Sequence, residues 1–303
     1  MSAAHSIRRA AVVMAVLVVA WGYAWVLAKM ALAYCAPLQV ATLRTAVGAA
    51  FLFPALLWRG GRVLPEHPWA ALGVGVFQTA LFVMLNNLAL AQGEAGKTSV
   101  LAFTMPFWVL VFAWPMLGER IRGLGWPAVI LAGAGLVMIL EPWGLRATLL
   151  AKTLAVLSGM CWALGVVIAK RLQNRHHVDV YNFTFWQMAL GLAPMILVSA
   201  ATHSRPIEWT WPFIAILLLL GVLGTAVGWI AWFYVLEHLP AGTTSMASLG
   251  VPVIALLSSA LQLGERPSGA EWTGMTLIAI ALAVISWDAI RRHRAVEPLM
   301  GQE

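Results

Sequence analysis

Charge is scarce in this sequence. Of its 303 residues 10% are charged and 61% hydrophobic, and the mean hydropathy is +0.85. That balance excludes an ordinary water-soluble domain, which could not hide so much apolar surface. The twelve carboxylates (Glu66, Glu94, Glu119, Glu141, Asp179, Glu208, Glu237, Glu265, Glu271, Asp288, Glu297 and Glu303) all fall in loops or at the ends of apolar stretches. An acid at membrane depth, expected of a cation-selective drug pump or of an antiporter with a buried proton-carrying carboxylate, is missing. The seven histidines lie in tails or loops, so a haem or metal buried between helices lacks its usual ligands. Cys35 and Cys161 set neither a CxxC nor a metal-ligand spacing and receive no chemical role. HExxH, GxSxG and Gly-rich phosphate loops are absent as well. The expectation is a non-enzyme with no metal and no cofactor.

Membrane-length apolar sequence is abundant instead. Ten stretches are marked off by charges and turn residues: 10–32, 38–58, 69–91, 97–117, 124–140, 151–170, 180–201, 211–235, 242–262 and 270–288. About 20 apolar residues can cross a bilayer as one helix, because a helix satisfies its own backbone hydrogen bonds. The expected fold class is therefore an all-α membrane protein of ten transmembrane helices, with short loops and no soluble domain. A net charge of +7 suggests nucleic acid in a soluble protein, but its distribution gives another account. If the N-terminus is cytoplasmic, twelve cations (Arg8, Arg9, Arg59, Arg62, Arg120, Arg122, Lys170, Arg171, Arg175, Arg291, Arg292 and Arg294) lie inside, against Lys97, Arg146, Lys152, Arg205 and Arg266 outside. This positive-inside bias predicts a multi-pass protein of the bacterial inner membrane with both termini cytoplasmic. Arg8 and Arg9 before an apolar run imitate a secretory signal, but the run is as long as a full span and is read as a retained first helix. The expected partners are the lipid bilayer and a small-molecule substrate, with no nucleic acid, and the chain is read as a monomer.

The chain repeats itself. Leu117, Gly118, Glu119, Arg120 recurs as Leu263, Gly264, Glu265, Arg266, an offset of 146. At the same offset Thr79 meets Thr225, Ala95 and Gly96 meet Ala241 and Gly242, Pro106 meets Pro252, and Trp126 meets Trp272. Trp21 and Lys29 match Trp162 and Lys170 at an offset of 141, and Arg44 falls opposite Gln187 at 143. Residues 10–140 and 151–288 are thus two copies of one unit, followed by a cytoplasmic tail, 289–303. Each unit holds an odd number of helices, so the second enters the membrane from the opposite side and the repeats are inverted.

The Trp-Gly-x6-Lys of Trp21, Gly22 and Lys29, the Arg44 of helix two, the mid-helix Pro106 and Pro252, and the two Leu-Gly-Glu-Arg helix ends together resemble the EamA family of the drug/metabolite transporter superfamily. The resemblance covers nearly the whole chain, one EamA unit per half. It implies ten helices around a central cavity and export of small metabolites. Length and tryptophan content are similar to the aromatic amino-acid exporters of that family. Gln187, standing where the first half has Arg44, departs from a paired basic site.

Candidate substrate-binding residues follow from polar or aromatic character at membrane depth. Gln78, Phe82 and Asn86, spaced i, i+4 and i+8, share one face of helix three. That face is either a cavity wall or glue between helices. Asn87 points elsewhere and is read as structural. Trp21, Trp108, Trp162, Trp186 and Trp229 are hard to place at headgroup level and suit stacking on a flat ligand, whereas Trp58, Trp69, Trp126, Trp143, Trp209, Trp211, Trp272 and Trp287 form an interfacial belt. Trp21, Gln78, Phe82, Asn86, Trp108, Trp162, Trp186 and Gln187 are the substrate-binding candidates. Arg44 is the candidate charge for a substrate carboxylate, and Lys29 is read as snorkelling to the outer headgroups. Pro106 and Pro252 each free a helical carbonyl and are the candidate hinges for alternating access, with packing kinks as the competing reading. The expected function is export of amino acids, aromatic or otherwise apolar. A broad drug or nucleobase-type exporter is the alternative, and a membrane enzyme or channel lies further off.

Overall fold

The computed structural model describes residues 3–60, 62–121, 123–140, 149–202 and 204–300. Arg122, Glu141, Trp143, Arg146, His203 and Glu303 lie outside them. The described residues are helical, without strands. In chain order we number α1 (Ala3–Ala31), α2 (Pro37–Trp58), α3 (Pro68–Ala91), α4 (Ala95–Ala102 and Met105–Leu117), α5 (Gly125–Leu140), α6 (Leu149–Gln173), α7 (Val180–Ala201), α8 (Trp211–His238), α9 (Ala241–Ala247 and Gly250–Leu263) and α10 (Gly269–Met300). Eight of these are long and apolar enough to cross a bilayer. The apolar parts of α5 and α10, Gly125–Met138 and Gly269–Val284, are shorter. The α10 helix runs on to Met300, so residues 289–300, read above as tail, continue its backbone.

Local chemistry sets the helix ends. Asp179 caps α7 by accepting from the amides of Tyr181 and Asn182 at 2.9 and 3.5 Å. Thr210 caps α8 through Phe213 N at 3.4 Å. Both repeated tetrapeptides end a helix in the same way: Gly118 and Gly264 each have φ 71°, the left-handed C-cap that glycine adopts without steric cost.

The halves also share two irregularities. α4 and α9 break at Phe103–Thr104 and Ser248–Leu249, a few residues before Pro106 and Pro252. Each proline therefore sits in the first turn after the break, where its missing N–H removes no helical bond. The interruption foreseen at the prolines is real but displaced toward the N-terminus. α3 and α8 each contain a π-helical stretch, Gly75–Leu81 and Leu219–Val227, which hydropathy does not reveal.

Packing crosses between the repeats. Gly73, Gln78 and Phe82 of α3 lie against Ile168, Gly165 and Trp162 of α6, so these two helices run antiparallel. Val18 and Gly22 of α1 lie against Gly250, Val251 and Ile254 of α9, which runs parallel to it. α5 and α10 pair with each other through Gly135, whose missing Cβ leaves room for Gly274 O and Ile278. Trp58, Trp69, Trp126, Trp209, Trp211, Trp272 and Trp287 are all exposed, as side chains of an interfacial belt must be.

Candidate functional site

A cluster of indoles packs between α1, α6 and α8. The Trp162 ring lies 5.3 Å from Trp21, 5.2 Å from Trp229, 5.3 Å from Trp232 and 4.6 Å from Phe82, mostly edge-on or tilted, the geometry that aromatic quadrupoles favour. Trp21 Nε1 donates to Gly224 O at 3.0 Å, while the buried Nε1 of Trp162 has no partner. Glycine at 228 makes this approach possible, since a Cβ there would collide with the Trp21 indole. Against the cluster lies a small, partly open cavity. Its wall includes Trp21, Trp25, Arg44, Phe82, Asn86, Asn87, Phe103, Met105, Trp162 and Trp229, and extends along Ala28 and Leu90 toward the Lys29 end of α1.

Among the lining residues Arg44 alone carries a formal charge. Its Nε donates to Thr225 Oγ1 at 3.1 Å, and that hydroxyl in turn donates to Leu220 O at 2.7 Å, an i to i−5 contact inside the π-helical stretch of α8. The local widening of α8 thus turns Thr225 toward Arg44, whose side chain lines the cavity with one terminal nitrogen beside Gly224. The Oδ1 atoms of two other lining residues, Asn86 and Asn87, are buried and unpartnered. Asn87 is pinned by its Nδ2, which donates to Val83 O at 2.8 Å. Unpaired buried acceptors are costly unless a ligand or water meets them.

The structure therefore brings Trp21, Phe82, Asn86, Trp162 and Arg44 to one cavity and places the other candidates elsewhere. Gln78 is fully buried against Gly165, away from the cavity, with neither amide atom bonded. Gln187 is also fully buried, and its Oε1 accepts a short hydrogen bond from Thr79 Oγ1. Since Thr79 matches Thr225 and Gln187 matches Arg44 between the repeats, the two contacts are counterparts: Arg44 with Thr225, Gln187 with Thr79. Trp108 stacks near Phe112 at 6.5 Å, and Trp186 Nε1 donates to Val63 O at 2.8 Å; neither lines the cavity. Pro106 follows the lining residue Met105, and Pro252 packs in the equivalent turn of α9. Trp25 also lines the cavity, and so does Asn87, which its spacing had placed on another face; 3.6-residue spacing locates a face but not the cavity it meets.

Lys29 does not reach for headgroups. Its Nζ donates to Leu90 O and Gly93 O at 3.0 and 2.6 Å, at the C-terminus of α3. Lys170 does the same for α8, donating to Leu236 O at 2.7 Å. Snorkelling is overturned here because the unpaired carbonyls of a nearby helix end, with their partial negative charge, lie closer than the lipid headgroups.

The profile of the EamA-like transporter family matches residues 8–141 and again 149–287. The chain belongs to the EamA-like transporter family. Like other members it is a multi-pass membrane transporter of small metabolites. Over its whole length this EamA-like transporter is 27% identical to a protein of Escherichia coli named "Probable amino-acid metabolite efflux pump", covering 96% of this chain and 98% of that one. It is 31% identical to a riboflavin transporter of Rhizobium johnstonii, over 82% of this chain and 80% of that protein. A solved crystal structure superposes with a TM-score of 0.76 at 19% identity, covering 94% and 98% of the two chains, which shows a shared fold.

Proposed function

We propose that this EamA-like transporter exports amino acids with aromatic or other apolar side chains across the inner membrane, by alternating access between its inverted halves. One observation carries the reading: a single cavity is lined by a lone guanidinium and by two asparagines whose side-chain oxygens are unpartnered, beside a cluster of indoles. A zwitterion fits these groups in kind. Its carboxylate meets Arg44 in a charge-assisted pair, and its ammonium meets Asn86 and Asn87 Oδ1. Its side chain stacks on Trp21, Trp25, Trp162 and Phe82. An organic cation, by contrast, would meet Arg44 with nothing anionic on the lining to offset it. The amino-acid relative supports this cargo. The riboflavin relative supports a second, flat heterocyclic cargo that would use the indoles and leave Arg44 idle.

Counterflow in reconstituted vesicles separates these readings. Vesicles preloaded with unlabelled phenylalanine should accumulate labelled phenylalanine, and the exchange should saturate. Exchange with riboflavin or nucleobases but with no amino acid would overturn the amino-acid reading, and single-channel currents would replace a carrier by a channel. Labelling of both chain ends from the cytoplasmic side tests the topology.

A further inference from the structure

We infer that Glu119 and Glu265 are the latches of two opposed gates, each reaching from one repeat to clamp a helical hairpin of the other. The inference rests on the transporter reading but concerns residues outside the cavity. At one end, the hairpin tip between α3 and α4 gathers the carbonyls that finish one helix and the amides that start the next. Glu265, from the end of α9, accepts from Ala95 N at 3.0 Å and from Gly96 N at 3.3 Å, while Lys29 of α1 takes the carbonyls of Leu90 and Gly93. At the other end, Glu119, from the end of α4, accepts from Ala241 N and Gly242 N, both at 3.0 Å, while Lys170 of α6 takes Leu236 O and Glu237 O at 2.7 and 3.5 Å.

Glu265, Lys29, Ala95, Gly96 and Leu90 of one set have their repeat-related partners in Glu119, Lys170, Ala241, Gly242 and Leu236 of the other. The antiparallel packing of α3 on α6 places Lys29 and Lys170 at opposite ends of the bundle. The carboxylates are aimed by the left-handed Gly118 and Gly264 that end their helices. Each clamped helix start is only a short segment, Ala95–Ala102 or Ala241–Ala247, followed by a break that can act as its pivot. Orphan helix-end groups need either such charged partners or water. An end that opens must therefore trade its latch for solvent. Both latches are engaged in this conformation.

The test reads accessibility and needs no substrate, so its failure is separate from a failure of the amino-acid reading. Ala28 lines the cavity near the Lys29 end, and its counterpart at the Lys170 end, Ala169, is fully buried. Each is replaced by cysteine in the full chain carrying Cys35→Ser and Cys161→Ala, in nanodiscs, and the rate of labelling by a hydrophilic maleimide is followed. Glu265→Gln should speed labelling of Ala28→Cys by about tenfold or more, the scale of one charge-assisted hydrogen bond, and leave Ala169→Cys unchanged or slower. Glu119→Gln should do the reverse. Lys29→Met removes the other half of the first clamp and should reproduce Glu265→Gln. If both reporters speed up together in each variant, the contacts merely hold the fold. If neither reporter moves in any variant, they are not latches; either result overturns the inference.

Discussion

Replacing Arg44 by glutamine tests the cavity chemistry with little structural disturbance. The second repeat already holds a glutamine at the corresponding position, Gln187, bonded to the corresponding threonine, Thr79. Arg44→Gln can therefore keep a hydrogen bond to Thr225 while removing the one formal charge on the cavity wall. A hydrogen bond to a charged group contributes about 1.5 to 3 kcal/mol net. At about 1.4 kcal/mol per factor of ten, the lost pair with a substrate carboxylate weakens binding by roughly 10- to 150-fold. The assay is counterflow in vesicles with two cargoes of the same ring, phenylalanine and its decarboxylated amine, phenethylamine. In the variant the half-saturating concentration of phenylalanine should rise at least tenfold, while phenethylamine, relieved of a like charge, should be carried as well as before or better. Arg44→Lys keeps the charge but loses the planar fork, and should fall between the two. An equal loss for both cargoes would mean that Arg44 holds α2 to α8 and does not bind substrate; no loss for either would remove it from the site.

Three further outcomes follow from packing and burial. Gly191→Ala should lower the thermal midpoint in detergent, because the new methyl would press on Gly75 O and come within 2.8 Å of Thr79 Cβ; overpacking of this kind costs about 1 to 3 kcal/mol, and an unchanged midpoint would refute the tight α3–α7 contact. Trp162→Ala should abolish saturable exchange and also destabilise, since truncating a buried tryptophan costs about 3 to 5 kcal/mol, whereas Trp162→Phe should retain folding and show a shifted preference among ring-bearing cargoes in a competition assay. Burial pushes the Cys35 thiol up to about 11, with Arg205 pulling weakly the other way. The thiolate is the reactive form, so intact-mass alkylation should be slow at pH 7 and quicken with each unit up to about pH 11. A fast reaction at neutral pH would contradict its burial.

Much of the architecture can be read before any coordinate is seen. Ten apolar stretches, scarce charge and the recurring Leu-Gly-Glu-Arg dictate a helical membrane protein made of two related halves, because only self-satisfied helices survive in lipid. The same logic found a polar and aromatic face on α3 and the tryptophans of α1 and α6. It could not say which buried polar residues share a space. Gln78 and Asn86 have the same spacing relation to Phe82, yet Asn86 meets the cavity and Gln78 meets Gly165. That choice depends on where α6 crosses α3, a long-range packing matter that periodicity does not encode.

The charged residues divide in the same way. Sequence alone paired Lys29 with Lys170, Glu119 with Glu265 and Arg44 with Gln187, since a repeat is visible as identity at a fixed offset. Only the fold decided that these pairs act crosswise, each carboxylate on the other half's helix start and each threonine on the other half's α2 or α7 residue. The physical reason is that a helix end leaves its amides and carbonyls unpaired and will take whichever charge the tertiary packing delivers. The inverted arrangement of the two halves delivers one from the opposite repeat at each end.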